Sequence, residues 1–348
     1  MMEVAALETP SVLIDLDIME RNILSMQRHC DALGLALRPH IKTHKIPAIA
    51  RLQIEAGARG IACQKLSEAA IFAEAGFNDI LLPYNIVGPA KAQRLADLAL
   101  YNRIAVSADS LPVITGLSEV AAANGIALRV FVELETEIQR AGAPLDCALE
   151  LAKRIDADEH LHFAGLLVYP SSPTVREPLR EALARLDAAG IGVDCVSGGG
   201  TGAALHAADV PELTELRIGT YVFNDWRTVL EGAATLADCA MTVRSTVVSR
   251  PAPGRAILDA GSKSLASETV DGVHGFVLEY PEARLYKLNE EHGYLDVSAC
   301  DPGPQIGEVV HIVPVHTCVV SNLHNVLYGV RAGHVEVAWP VAARGLVW

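Results

Sequence analysis

No apolar run in the 348-residue chain approaches the ~18–20 residues that a membrane-spanning helix needs. Positive charge is scarce too. Lys and Arg number 28 against 42 Asp and Glu, and the resulting net charge of −14 argues against nucleic acid and anionic membranes as partners. Residues 1–10 lack a basic start followed by an apolar core, so no secretory leader is expected. The seven cysteines are scattered, odd in number and never spaced C-x-x-C. That pattern speaks against a disulfide framework and predicts a reduced, cytoplasmic chain. What is present is a globular composition, 51% apolar and 20% charged, long enough for one large α/β barrel or two domains.

Eight short β-rich runs recur at 35–42, 60–65, 79–84, 103–109, 128–135, 162–169, 193–198 and 215–222. Stretches with helical spacing, such as "KAQRLADLALY", separate them. Alternation of this kind predicts a parallel sheet, and eight repeats suggest closure into a (β/α)8 barrel, with an open doubly wound sheet as the alternative. Near residue 237 the pattern changes to strands and tight turns with almost no helix, which predicts an antiparallel β domain. "SVLIDLD" at 11–17 reads as a strand ahead of the first barrel helix and is assigned to that β domain. The expected division is a barrel over 17–236 and a C-terminal domain over 237–348 that takes up 1–16.

Barrel enzymes carry their chemistry at the C-terminal ends of the strands. In "LRPHIKTHKIPAIA" (37–50), a period of two would put Arg38, His40 and Lys42 on one face, with Lys42 at the strand exit and Lys45 where the next helix begins. A lysine partly desolvated in a barrel mouth is a usable amine nucleophile; one paired with Glu133 or Glu135 is only an ion pair. "SGGGTGAA" (197–204) follows the seventh strand and "GTY" (219–221) the eighth, where barrels commonly hold phosphate. A tight turn would use the same glycines. A first-strand lysine facing a phosphate cradle suggests pyridoxal 5′-phosphate.

Together with "CQKLSEA", "GTYVFND", "DAGSKSL", "NEEHG" and "HTCVVSNLHN…WPVAARG", these motifs resemble, in order and over essentially the whole chain, the D-threonine aldolase / D-serine dehydratase family of the alanine-racemase-like fold type. The resemblance implies that Lys42 is the Schiff-base lysine and that Arg140, in "ETEIQRAG", approaches the cofactor's phenolic oxygen. It also implies that Tyr169, Ser197, Gly198, Gly199, Gly219, Thr220 and Tyr221 line the ring and phosphate, with Arg217 toward the pyridine nitrogen. A divalent metal, zinc or manganese, is implied at His316 and Cys318, which would share one face if their segment is extended. Aldolases of this family often show His-x-Asp at this place and dehydratases His-x-Cys. A homodimer is a further implication. Lys263, in "DAGSKSL", belongs to the β domain and is set aside as the Schiff-base lysine. "NEEHG" is read as a turn, His44 as a capping or surface residue, and Asp259 as structural.

The activity implied is a metal-assisted lyase acting on β-hydroxy-D-amino acids, by retro-aldol cleavage to glycine and an aldehyde, with a base near His316 taking the β-hydroxyl proton. The alternative is dehydration of D-serine or 3-hydroxy-D-aspartate to a keto acid and ammonia, with Lys42 taking the Cα proton. A racemase would need a second base opposite Lys42, and a non-enzymatic carrier of the cofactor would lack the β domain.

Overall fold

The computed structural model describes residues 2–348. Its contacts divide the chain into a barrel unit, Met26–Lys42, Ile49–Gly219 and Leu346–Trp348, and a sheet unit, Met1–Ser25, Thr43–Ala48 and Thr220–Gly345. Among the described residues no helix is long and apolar enough to cross a membrane.

The barrel unit contains eight parallel strands: Ala36–Leu37, Ile61–Ala62, Asp79–Asn85, Arg103–Ala108, Leu128–Glu133, Leu161–Leu167, Cys195–Gly199 and Glu215–Arg217. From Ile61–Ala62 onward each pairs with the next, and Glu215–Arg217 pairs with Ala36–Leu37. A bridge between His40 and Ala62 closes the ring. This is the expected (β/α)8 barrel. Its strands are covered on both faces, which is why they read as near-continuous apolar runs; Ile80, Leu82, Val130 and Val132 have no exposed surface. Removing such a side chain from water contributes about 1.5–3 kcal/mol each. Gly165 is fixed by packing: a Cβ there would lie 1.8 Å from the Cys195 carbonyl oxygen of the neighbouring strand.

One group of charges buried inside the barrel is paired. Arg38 Nε donates to Glu215 Oε2 at 2.9 Å, and Arg38 Nη1 to Asp79 Oδ1 at 2.7 Å. Ser197 Oγ donates to Glu215 Oε1 at 2.7 Å. Ser197 and Glu215 lie opposite each other on neighbouring strands, so their bond helps pin that register.

In the sheet unit the strand Ser11–Asp15 joins the C-terminal strands, as expected. It lies antiparallel to Met241–Ala252 but parallel to Val326–Arg331. The sheet is therefore mixed, not purely antiparallel. Asp259 is structural: it accepts hydrogen bonds from Thr9 Oγ1, Ser245 Oγ and the Thr246 amide. "NEEHG" is a turn between the strands Arg284–Leu288 and Gly293–Asp296, closed by the Asn289 amide on the His292 carbonyl at 2.9 Å. Lys263 is held there by Glu290 and Glu291, at 3.3 and 2.8 Å.

Candidate active site

Lys42 is not on the first strand. Pro39 has no amide hydrogen to extend the ladder, and after the His40 bridge the chain curls into the short 3-10 turn Ile41–Thr43. The face argument for Lys42 therefore fails, although its place beyond the strand exit does not. Lys42 is half-buried and lines a cavity of about 540 Å³ with Gln64, Tyr84, Glu133 and Arg140. That volume suits a small ligand. Lys45 is buried, and its Nζ donates to the Ala343 carbonyl at 3.3 Å. His44 is fully buried and accepts the Ile46 amide on Nδ1 at 3.0 Å, so it caps the approach to the helix Pro47–Glu55 and is not a surface residue.

Electrostatics in the cavity are set by burial against pairing. Burial pushes the Glu133 carboxyl up, opposed by the guanidinium charges of Arg217 and Arg140 and reinforced by Asp109. The Arg140 guanidinium stands over the Tyr169 ring at 4.6 Å. Lys65 stands over the Tyr84 ring at 4.0 Å and, by hydrogen bonding and charge, lowers the phenol's pKa.

The glycine run ends the strand Cys195–Gly199. A Cβ on Gly198 would meet the Ser171 Cβ at 2.6 Å, and one on Gly199 would meet Tyr169 Cδ2 at 3.0 Å. Gly200 has φ +105°, where a side chain is strained. The glycines thus let the segment through Tyr169 and Ser171 lie against the strand, with the Ser171 amide on the Gly199 carbonyl at 2.9 Å. Ser197 does not turn its hydroxyl to this loop; register pairs it with Glu215, which takes that hydroxyl. Arg217 shares the inward face with Glu215, nearer the strand's C-terminal end. It is buried and donates to the Gly198 and Val168 carbonyls at 3.3 and 3.2 Å, while its Nε has no partner. Burial lowers its pKa, against the pull of Glu215 and Glu133. Gly219 closes the barrel unit's chain at this end, two residues beyond Arg217. A lysine lining a cavity, a buried guanidinium with an unpartnered Nε and a glycine run after strand seven fit pyridoxal phosphate.

The sheet unit brings His316 and Cys318 together, though not as an extended pair. His316 is the N-cap of the helix Thr317–Leu323, and Cys318 lies in its first turn. The His316 ring hydrogen-bonds the Cys318 sulfur and, through Nδ1, Asp225 Oδ2 at 3.1 Å. Burial opposes charge on this ring, but Asp225 and Cys318 outweigh it and push its pKa up to about 11. Thr43 Oγ1 lies 3.3 Å and Thr220 Oγ1 4.0 Å from the Cys318 sulfur. Thr220 and the buried Tyr221 form the 3-10 turn Thr220–Val222. Among the described residues no group of three or more His, Cys, Asp or Glu could hold a metal. One imidazole and one sulfur as the protein's donors still suit a zinc-like cation completed by water or substrate oxygens. Asp225 and Thr43 were not expected from the sequence. The Asp-x-x-Thr capping signature was visible for Asp225, but its link to His316 was not.

Residues 14–225 match the family model described as alanine racemase, N-terminal domain, and residues 240–330 match that of a serine dehydratase domain. A D-threonine aldolase from Arthrobacter sp. is 37% identical over 98% of this chain and 94% of its own length. A 3-hydroxy-D-aspartate aldolase of Paracoccus denitrificans is 32% identical over 99% and 94%. Among solved structures, the D-threonine aldolase from Filomicrobium marinum superposes with a TM-score of 0.91 at 33% identity, covering 100% of this chain and 98% of that one. A variant of D-threo-3-hydroxyaspartate dehydratase in the metal-free form gives 0.90 at 28%, covering 100% of both. Motif order, barrel, C-terminal sheet and chain-long likeness agree: this chain belongs to the D-threonine aldolase / D-serine dehydratase family, on an alanine-racemase-type barrel.

Proposed function

We propose that this protein is a pyridoxal-phosphate-dependent lyase of β-hydroxy-D-amino acids, cleaving them to glycine and an aldehyde with the help of a divalent cation. The observation that supports the reading is that Lys42 lines the barrel-mouth cavity while Lys45 Nζ is engaged elsewhere. Lys42 would hold the cofactor's aldehyde carbon. Gly198, Gly199 and Gly219, with Thr220 and Tyr221 next in the chain, would hold its phosphate, and Arg217, Arg140 and Tyr169 its ring. His316 and Cys318 would hold the cation. When bound, the cofactor supplies an electron sink for the pair released at the substrate Cα, and the cation supplies Lewis acidity to an oxygen. The chain's own groups do the rest. Buried Arg217 and exposed Arg140 keep positive charge beside Glu133, where it favours an anionic substrate. Lys42 would hold or return a proton at the cavity wall. A homodimer is part of the same reading.

A second reading, dehydration to a keto acid and ammonia, is favoured by one observation: the metal pair is histidine and cysteine, a softer set than histidine and aspartate. Supplying D-threonine, D-phenylserine and D-serine and measuring aldehyde against keto acid separates the two. A Cys318→Asp variant should move metal preference from zinc toward manganese and raise the aldehyde fraction. If it alters metal preference but not products, the pair does not choose the reaction.

A further inference from the structure

We propose that Asp225 is the positioning residue of the metal pair: it keeps the proton of His316 on Nδ1, so that Nε2 presents its lone pair to the cation. The inference rests on the metal reading above and goes beyond it to a residue outside the expected ligand set.

The Asp225 side chain is fully buried. Its Oδ1 accepts the Thr228 amide at 2.9 Å, as the N-cap of the helix Trp226–Leu230. Its Oδ2 faces His316 Nδ1 at 3.1 Å and the Thr317 amide at 3.3 Å. A carboxylate only accepts, so the ring nitrogen turned to it must carry the hydrogen. An imidazole that ligates a cation has given up one of its two N–H protons; Asp225 keeps the one on Nδ1, and the cation takes the place of the one on Nε2.

The surroundings hold the aspartate in this orientation. Thr228 Oγ1 receives the Asp225 amide at 2.9 Å and donates back to the Asp225 carbonyl at 2.8 Å, fixing the backbone from which the carboxylate projects. One buried carboxylate therefore serves the first turns of two helices, Trp226–Leu230 and Thr317–Leu323. His316 stands at the N-cap of the second helix without capping it through its side chain. Asp225 takes the Thr317 amide in its place, so the imidazole is not spent on the cap.

Asp225→Asn keeps the shape. It has one acceptor oxygen for the two sides: with NH2 toward His316, Nδ1 must accept and the ring proton moves to Nε2, where the cation would bind; with the oxygen toward His316 and Thr317, the Thr228 cap is lost and Nδ1 keeps only a neutral, weaker acceptor. Metal affinity of the full, pyridoxal-phosphate-loaded chain is measured by chelator competition with Zn2+ and Mn2+, alongside the cofactor absorbance band and melting temperature. The expected result is a loss of about 10–100-fold in affinity with the cofactor band unchanged. Thr228→Val removes the hydroxyl that braces the same cap but leaves the carboxylate on His316; it should lower the melting temperature and cost far less metal affinity than Asp225→Asn. Wild-type affinity in Asp225→Asn overturns the inference and leaves the metal reading standing. An equal loss in Thr228→Val also overturns it, because Asp225 would then act only through the helix. Wild-type protein that binds metal no better than a His316→Ala/Cys318→Ala variant overturns both.

Discussion

Lys45 Nζ donates to the Ala343 carbonyl at 3.3 Å, and the Ala343 amide in turn donates to the Lys45 carbonyl at 3.2 Å. The second lysine of "KTHK" is thus tied to the C-terminal segment, whereas the first lines the cavity. Borohydride reduction of the yellow protein should fix the cofactor on Lys42. Lys42→Ala should lower turnover by at least ~10²-fold. Lys45→Met should keep the cofactor and instead lose stability, about 1–3 kcal/mol for a buried acceptor left unpaired. Peptide mapping that finds the label on Lys45 or Lys65 contradicts the assignment.

Gly198 is predicted from the sequence to keep the loop open for an anion, and the structure adds a nearer reason in Ser171. Gly198→Ala should destabilise the barrel by about 1–3 kcal/mol through overpacking. Ser171→Gly in the same chain should restore much of that, because it removes the atoms struck at 2.6 Å. Denaturant melts with parallel cofactor titrations read both effects. A double variant with restored stability and full cofactor retention would leave Gly198 with a packing role alone.

His324 Nε2 donates to the Ser264 carbonyl at 3.0 Å. Burial depresses its pKa, the Ser264 bond works against that, and the Arg344 charge adds to it. The folded value lies below the unfolded ~6.5, so the unfolded chain binds the extra proton first on acidification. This contribution to stability is fully present above about pH 6.5 and is lost as pH falls through the folded value. Urea midpoints should therefore drop between pH 7 and pH 5, and His324→Gln should make that drop shallower. An unchanged slope in the variant would place the acid sensitivity elsewhere.

The barrel was legible because each strand is buried on both faces and each is followed by a segment of helical period, a local signal that eight repeats reinforce. The errors came where a short-range pattern meets a long-range one. Lys42 reads as a strand residue by alternation, but the first strand is only Ala36–Leu37, followed by a single bridge at His40. Ser197 reads as a loop residue beside glycines, yet its cross-strand neighbour Glu215 claims its hydroxyl. The mixed sheet depends on pairing Leu13 with Tyr328, which no local pattern announces. Asp225 is visible as a cap and invisible as a partner of His316, 91 residues away.

The central claim is that the barrel-mouth lysine and the His316–Cys318 pair serve a lyase of β-hydroxy-D-amino acids. Product analysis tests it most directly: protein loaded with pyridoxal phosphate and Mn2+ or Zn2+ is given D-phenylserine, and benzaldehyde and glycine are measured together with the keto acid, before and after chelation. The expected result is equal amounts of benzaldehyde and glycine from the D substrate, abolished by the chelator and restored by the metal, with the cofactor band constant throughout. Turnover that persists in full without metal, or racemisation with no carbon–carbon cleavage or ammonia release, would contradict the account.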